Sequence, residues 1–157
     1  RVILADASPG MVRVAAERAA GAVECRVAEG EDLPFEDHSA HVVMLSFGLR
    51  NMTNPPKALR EVVRILKPGG RLVLLEFSKP KVWFAPAYDL FSTWVIPALG
   101  AAISRNRAAY QYLIESIRLF PDAQSISSEL KAAGFTSVTT RSFMFGVAVM
   151  HVAEIAA

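Results

Sequence analysis

Short apolar runs alternate with helix-punctuated segments along this chain, and that alternation leaves few folds open. Residues 1–6 are nearly all apolar, Val2-Ile3-Leu4-Ala5 closing on Asp6, and read as a buried strand. Ser8-Pro9 supplies an N-cap and a proline for the first helical position, and Met11, Val14, Ala15 and Arg18 follow at helical spacing until Gly21. Ala22 to Val27 reads as a second strand, Glu29 to Asp37 as a polar loop, and His41 to Phe47 as a third strand apolar enough to be covered on both faces. Asn54 caps the next helix. Pro55 and Pro56 lie in its first turn, and Leu59, Val62, Val63 and Leu66 share one face before Lys67-Pro68-Gly69-Gly70 ends it. Arg71 to Phe77 is the next strand. A proline-broken apolar segment over 80–105 precedes a helix with Tyr110, Leu113, Ile114 and Ile117 on one face and another helix from Ser125 to Ala133. The strands Val138–Ser142 and Phe145–Ala153 close the chain as an antiparallel edge.

The alternation predicts an α/β domain with a mainly parallel sheet and helices on both faces. One domain is expected over 1–157, with 80–120 as a helical insert on the substrate side. At 157 residues and 52% hydrophobic, the chain has enough apolar surface to offset the entropy of ordering, which excludes disorder. Seventeen Lys and Arg against 15 Asp and Glu leave no basic excess for nucleic acid. Cys25 stands alone, so no internal disulfide or cysteine-rich metal site forms, and His38, His41 and His151 lack ligand spacing. No secretory signal opens the sequence, and a cytoplasmic protein is expected. The apolar stretch 83–103 carries Asp89 and is broken by Pro86, Pro97 and Gly100, short of a spanning helix. A lid or a membrane-surface contact remains open for it.

Sheets of this kind bind ligands at the carboxyl ends of their strands, so the turns after Asp6, Val27, Ser46 and Phe77 matter most. Asp6 suits two roles equally: helix capping within Asp-Ala-Ser-Pro, and acceptance of two hydrogen bonds from a ribose diol. The loop Ala28-Glu29-Gly30-Glu31-Asp32-Leu33-Pro34-Phe35 offers a carboxylate and backbone amides to an adenine edge, with Glu31 and Asp32 read as solvated charges. Gly48-Leu49-Arg50-Asn51 places a cation and an amide where a polar substrate head would sit.

LPF at 33–35, SFGLRN at 46–51, ALREVVRILKPGGRLVLLEFSKP at 58–80, YLIESI at 112–117 and GF at 134–135 together resemble the C-methyltransferases of ubiquinone and menaquinone biosynthesis. The resemblance covers essentially the whole chain; KPGG is common to many methyltransferases, whereas SFGLRN followed by LEFSKP is specific to this family. It implies a class I, Rossmann-like methyltransferase fold that binds S-adenosylmethionine. By position, Asp6 would hold the ribose hydroxyls, Glu29 the adenine amino group and Gly30 a ring nitrogen through its amide, with Ser46 near the methionine part. Glu29 stands where Asp or Asn is usual, and Ala40 and His41 where an aromatic residue and Asp are usual. The family's first strand and Gly-rich G-x-G turn are missing. A chain opening at Arg1 directly into a strand is therefore expected to begin at the domain's second strand, with a one-strand gap between residues 1–6 and 41–47.

The reaction the resemblance implies is methyl transfer to a ring carbon of a polyprenyl quinol, either demethylmenaquinol or the ubiquinone-pathway benzoquinol. Arg50 and Asn51 would hold or polarise the quinol oxygen; since arginine does not serve as a free base, Arg50 needs a water or an acidic partner. Tyr88, Phe91 and Trp94, with Tyr110 and Tyr112, would line the cavity for ring and tail, although ordinary core packing accounts for any one of them. Arg118 reads as a solvated charge and His151 as a satisfied core histidine. Peripheral membrane contact is expected because the substrate lives in the bilayer; oligomeric state is not legible. Two other classes stay open at this level: a dinucleotide-dependent oxidoreductase, and a non-catalytic binding module of the same fold.

Overall fold

The computed structural model describes residues 1–90, 93 and 107–157, without the side chains of 107–111 and 114. The elements are β1 (Ile3–Asp6), α1 (Pro9–Ala19), β2 (Glu24–Val27), β3 (Ala40–Ser46), α2 (Pro55–Ile65), β4 (Leu66–Phe77), α3 (Ala85–Leu90), α4 (Arg107–Leu119), α5 (Ala123–Ala133), β5 (Ser137–Phe143) and β6 (Ala148–Glu154). The expected Phe91 and Trp94 contributions to a pocket fall outside the described residues.

Helix starts follow the capping chemistry. Ser8 Oγ accepts from the Met11 N–H at 3.4 Å and Asn54 Oδ1 from the Lys57 N–H at 3.1 Å, each ahead of a proline that has no N–H to satisfy. The cap of α5 is Asp122 rather than Ser125: Asp122 Oδ1 accepts from the Ser125 N–H at 2.8 Å, and that bond holds the carboxyl below its usual range. The left-handed end of α1 is shared by Ala20, at φ 47°, and Gly21, at φ 84°.

The strands form two ladders. β1 and β2 pair in parallel; the other four run β3-β4-β6-β5, with β3 parallel to β4 and the β4–β6 and β5–β6 pairs antiparallel. Among the described residues β1 pairs only with β2 and β3 only with β4, so each has one open edge. β4 begins at Leu66, not at Arg71: Ala40 pairs with Leu66 and Val42 with Arg71, and Lys67-Pro68-Gly69-Gly70 bulges out between them. The bulge is tied down by the Gly69 N–H donating to Ala156 O at 2.9 Å and the Ile155 N–H to Gly70 O at 3.1 Å. A Cβ on Gly70 would lie 2.7 Å from Lys67 O and 3.2 Å from His41 O, so the backbone there closes only around glycine.

Leu72, Leu74 and Glu76 of β4 are buried, as are Val149, His151 and Ala153 of β6, while their alternate neighbours are half-buried. One face of the four-stranded ladder is therefore closed, by α2 and α5, whose Leu59, Val62, Ile126 and Leu130 join Leu72, Leu74 and Ala153 in the core. The expectation that β3 is covered on both faces fails. Val42 is 50% and Met44 80% exposed, because no described element packs on that side of the strand.

His151 is buried on β6. Its Nε2 lies 3.1 Å from Ala123 O and acts as donor, and Nδ1, the acceptor in that tautomer, has no partner among the described residues. The histidine is thus only half satisfied. Burial disfavours the imidazolium and holds the pKa below the ordinary 6.5. The unfolded chain takes up the proton first, so this contribution to stability is complete above pH 6.5 and is lost as pH falls below it. Thermal midpoints measured from pH 7.5 to about 5 should fall for the wild type and fall less for His151→Leu; parallel curves would refute the assignment.

Candidate active site

The turn that ends β3 is built on strain. Phe47, at φ 53°, occupies the left-handed region, which costs a non-glycine residue on the order of 1–3 kcal/mol. The surroundings hold it there: its N–H donates to Leu75 O at 2.8 Å, and its carbonyl accepts from Arg50 Nη1 at 2.6 Å and Asn51 Nδ2 at 3.4 Å. Leu49, fully buried, anchors the following 3₁₀ turn (Leu49–Asn51) in the core, so Arg50 and Asn51 are carried at the carboxyl end of the sheet.

Three further side chains converge on this turn. Glu76, 1% exposed, accepts from Arg50 Nη1 at 3.1 Å. The Phe47 and Phe77 rings, 4.5 Å apart, lie 5.9 and 5.2 Å from the guanidinium carbon. Tyr112 of α4 donates its hydroxyl to Asn51 Oδ1 at 3.3 Å. A cleft of about 380 Å³ opens beside them, lined by Arg50, Tyr112, Glu115, Ser116 and Phe120 among others. Tyr112, 61 positions further along the chain, is thus brought against the neighbours Arg50 and Asn51.

Asp6 stands at the end of β1 with Oδ1 accepting from the Ser8 N–H at 2.8 Å. The bond closes a turn onto Ser8, which is itself the cap of α1, so Asp6 does not cap the helix; the turn occupies one of its oxygens only. In the following loop the Asp32 N–H donates to Glu29 O at 3.2 Å, which leaves the Glu29 side chain exposed. Gly30 lies against Met52: a Cβ there would come within 2.6 Å of the methionine methyl. Glu31 is not the solvated charge expected of it. Its Oε1 accepts from the Asn54 N–H at 3.0 Å, tying the loop to the start of α2 and lowering its pKa.

The same loop is clamped further along. Arg64 donates to Leu33 O at 2.9 Å and to Phe35 O and Asp37 Oδ1 at 2.7 Å, while Glu61 binds Arg64 at 2.7 Å and accepts from the Leu33 N–H at 3.0 Å. The guanidinium holds the Glu61 carboxyl below its usual range. Glu61 and Arg64 are visible in the sequence as a helical i,i+3 pair, but their grip on residues 33–37 is long-range. Glu76 had a local signal: it shares the period-2 face of Leu72 and Leu74, so alternation alone puts a carboxylate inside.

Ser46 is exposed at the last position of β3. Tyr88 is half-buried in α3, where burial raises its phenol pKa. Tyr110 lies in α4 with its side chain outside the described set. Arg118 is exposed and donates to Thr93 Oγ1 at 3.3 Å. Among the described residues there is no cluster of His, Cys, Asp and Glu fit for a metal, and no helix is long and apolar enough to cross a membrane.

An open α/β sheet with parallel strands, an antiparallel edge and a KPGG bulge within β4 is the architecture of the class I methyltransferase fold. Solved structures agree on the fold at low identity: a SAM-dependent methyltransferase from Aquifex aeolicus matches 99% of this chain and 69% of its own at TM-score 0.68 and 19% identity. The [4+2]-cyclase SpnF matches 100% and 66% at TM-score 0.70 and 17% identity, so the fold does not by itself fix the chemistry. The sequence model of the ubiE/COQ5 methyltransferase family matches residues 1–154, and the chain belongs to that family. It is 46% identical over 157 residues to the ubiquinone/menaquinone biosynthesis C-methyltransferase UbiE of Rubrivivax gelatinosus, covering all of this chain and 62% of that protein. It is 47% identical over 153 residues to the demethylmenaquinone methyltransferase of Clavibacter sepedonicus, covering 96% and 62%. The chain thus spans about three-fifths of the length of these relatives.

Proposed function

We propose that the protein binds S-adenosylmethionine and methylates a ring carbon of a polyprenyl quinol, with Asp6, Glu29, Gly30 and Ser46 on the cofactor side and Arg50, Asn51 and Tyr112 on the acceptor side. The observation that carries the proposal is the Arg50–Asn51–Tyr112 cluster beside an open cleft, on a strained turn at the carboxyl end of β3. Family membership and the names of the relatives support the same chemistry.

The residues present fit one end of the cofactor. Asp6 keeps Oδ2 for a ribose hydroxyl, and the Glu29-Gly30 backbone sits on a loop that Glu31, Glu61 and Arg64 hold in place. The sequence contains no G-x-G turn for the carboxypropyl end, and no residue here is assigned to it. Bound S-adenosylmethionine would supply an electrophilic methyl group on a sulfonium. The protein's part is to align a phenolic acceptor, exclude water and assist loss of its proton, after which the adjacent ring carbon is nucleophilic. Arg50 offers donors and no acceptor, so its part is to stabilise the ionising oxygen rather than to take its proton. The segment 80–120, with Tyr88, Tyr110 and Tyr112, is assigned to the ring and prenyl tail, and the tail implies contact with a membrane surface.

Calorimetry of the full-length protein with S-adenosylhomocysteine and with NAD, followed by methyl transfer to demethylmenaquinol and to the demethylated benzoquinol, tests this. Binding of S-adenosylhomocysteine alone, with label appearing on a quinol, is expected. NAD binding would point to an oxidoreductase, and S-adenosylhomocysteine binding without transfer to a binding module.

A further inference from the structure

The geometry points to Glu76 as a positioning residue for the acceptor side: its buried carboxylate presets Arg50 before any ligand arrives and neutralises the guanidinium charge. The inference rests on the proposed placement of Arg50 beside the acceptor oxygen. Glu76 grips one residue at two points, accepting from Arg50 Nη1 at 3.1 Å through Oε2 and from the Arg50 backbone N–H at 3.4 Å through Oε1. Oε2 also accepts from the Phe77 N–H at 3.3 Å, which fixes the carboxylate itself. Phe47 O accepts from the same Nη1 at 2.6 Å, and the Phe47 and Phe77 ring centroids lie 5.9 and 5.2 Å from the guanidinium carbon. One donor stays in reserve: Arg50 Nε is buried and has no partner among the described residues.

Folding alone does not account for this arrangement. Glu76 follows Leu72 and Leu74 on the closed face of β4, where a third leucine would serve the core with no charge to desolvate. A buried ion pair is weak support for stability, so a carboxylate at this place is better explained by what it does to its partner. Two effects follow. The rotamer freedom of Arg50 is given up on folding rather than on binding, as preorganisation requires. The compensated guanidinium also presents hydrogen bonds to the acceptor with less net positive charge, which sets the pH at which the acceptor oxygen ionises.

Glu76→Gln in the full-length protein removes the charge and keeps the shape. The expected result is a fall in kcat of tenfold or more, S-adenosylhomocysteine affinity within about twofold of wild type, and the acidic limb of the kcat profile displaced to lower pH as the uncompensated guanidinium favours the ionised acceptor. A purely structural role would not move that limb. A second readout needs no turnover: the Arg50 Nε–H resonance in ¹⁵N NMR should exchange slowly in the wild type and faster in Glu76→Gln. An unchanged Nε–H overturns the proposal whatever the substrate is. A loosened Nε–H with unchanged kcat and pH profile overturns it too, and locates the failure in the placement of Arg50. Should Glu76→Gln not fold, Glu76→Asp carries the test, since it keeps the charge and shortens the reach. It should lower kcat without moving the pH limb, and an unchanged kcat would overturn the proposal.

Discussion

Asp6→Ala should weaken S-adenosylhomocysteine binding tenfold or more, the largest effect expected of any single change on the cofactor side. Hydrogen bonds to a charged acceptor contribute about 1.5–3 kcal/mol, and 1.4 kcal/mol corresponds to a factor of ten in affinity. The structure complicates the variant in one respect. Asp6 Oδ1 also accepts from the Ser8 N–H at 2.8 Å, so alanine loosens the entry to α1 as well as removing the ribose contact. Asp6→Asn separates the two effects, because an asparagine oxygen can keep the Ser8 bond while the charge is gone. Calorimetry should rank wild type tightest, Asp6→Asn intermediate and Asp6→Ala weakest, with Asp6→Asn retaining the wild-type thermal midpoint. Wild-type affinity in both variants would remove Asp6 from the cofactor side and leave it the residue that turns the chain into the Ser8 cap.

The fold was legible where local chemistry decides it. Ser8-Pro9 and Asn54-Pro55-Pro56 mark helix starts to the residue, and the parallel-then-antiparallel order follows from connection lengths. It was illegible where a distant partner decides. Apolar content alone made β3 look covered twice, yet Val42 and Met44 face no described element. The KPGG stop is a bulge within β4 because Gly69 and Gly70 find partners at Ile155 and Ala156, some eighty residues on.

The acceptor side shows the same division. Arg50 and Asn51 stand out because a polar pair interrupts an apolar strand end. The arginine's need for an acidic partner also follows from its chemistry, but the identity of that partner does not: Glu76 lies 26 positions away, and only the β3–β4 register brings it alongside. Tyr112 stands out in the sequence only as an aromatic residue on the helix after the apolar segment, and its hydrogen bond to Asn51 depends on how α4 lies over the turn.

The largest stability effect follows from that buried pair. Arg50→Ala leaves the Glu76 carboxylate 1% exposed and without its cation, a situation that typically costs 3–5 kcal/mol, with about the lower figure expected here because the Arg50 side chain is itself 10% exposed. Denaturant unfolding should show that loss directly. Adding Glu76→Leu should restore most of it, since leucine continues the Leu72 and Leu74 face and leaves no charge to bury. Turnover should respond differently: it should fall by at least two orders of magnitude in Arg50→Ala and stay down in the double variant, with S-adenosylhomocysteine affinity near wild type in both. Recovery of stability without recovery of rate separates the role of Arg50 at the acceptor from its role in the core. If rate returns together with stability, Arg50 serves the fold alone, and the acceptor contacts must be sought among Asn51 and Tyr112.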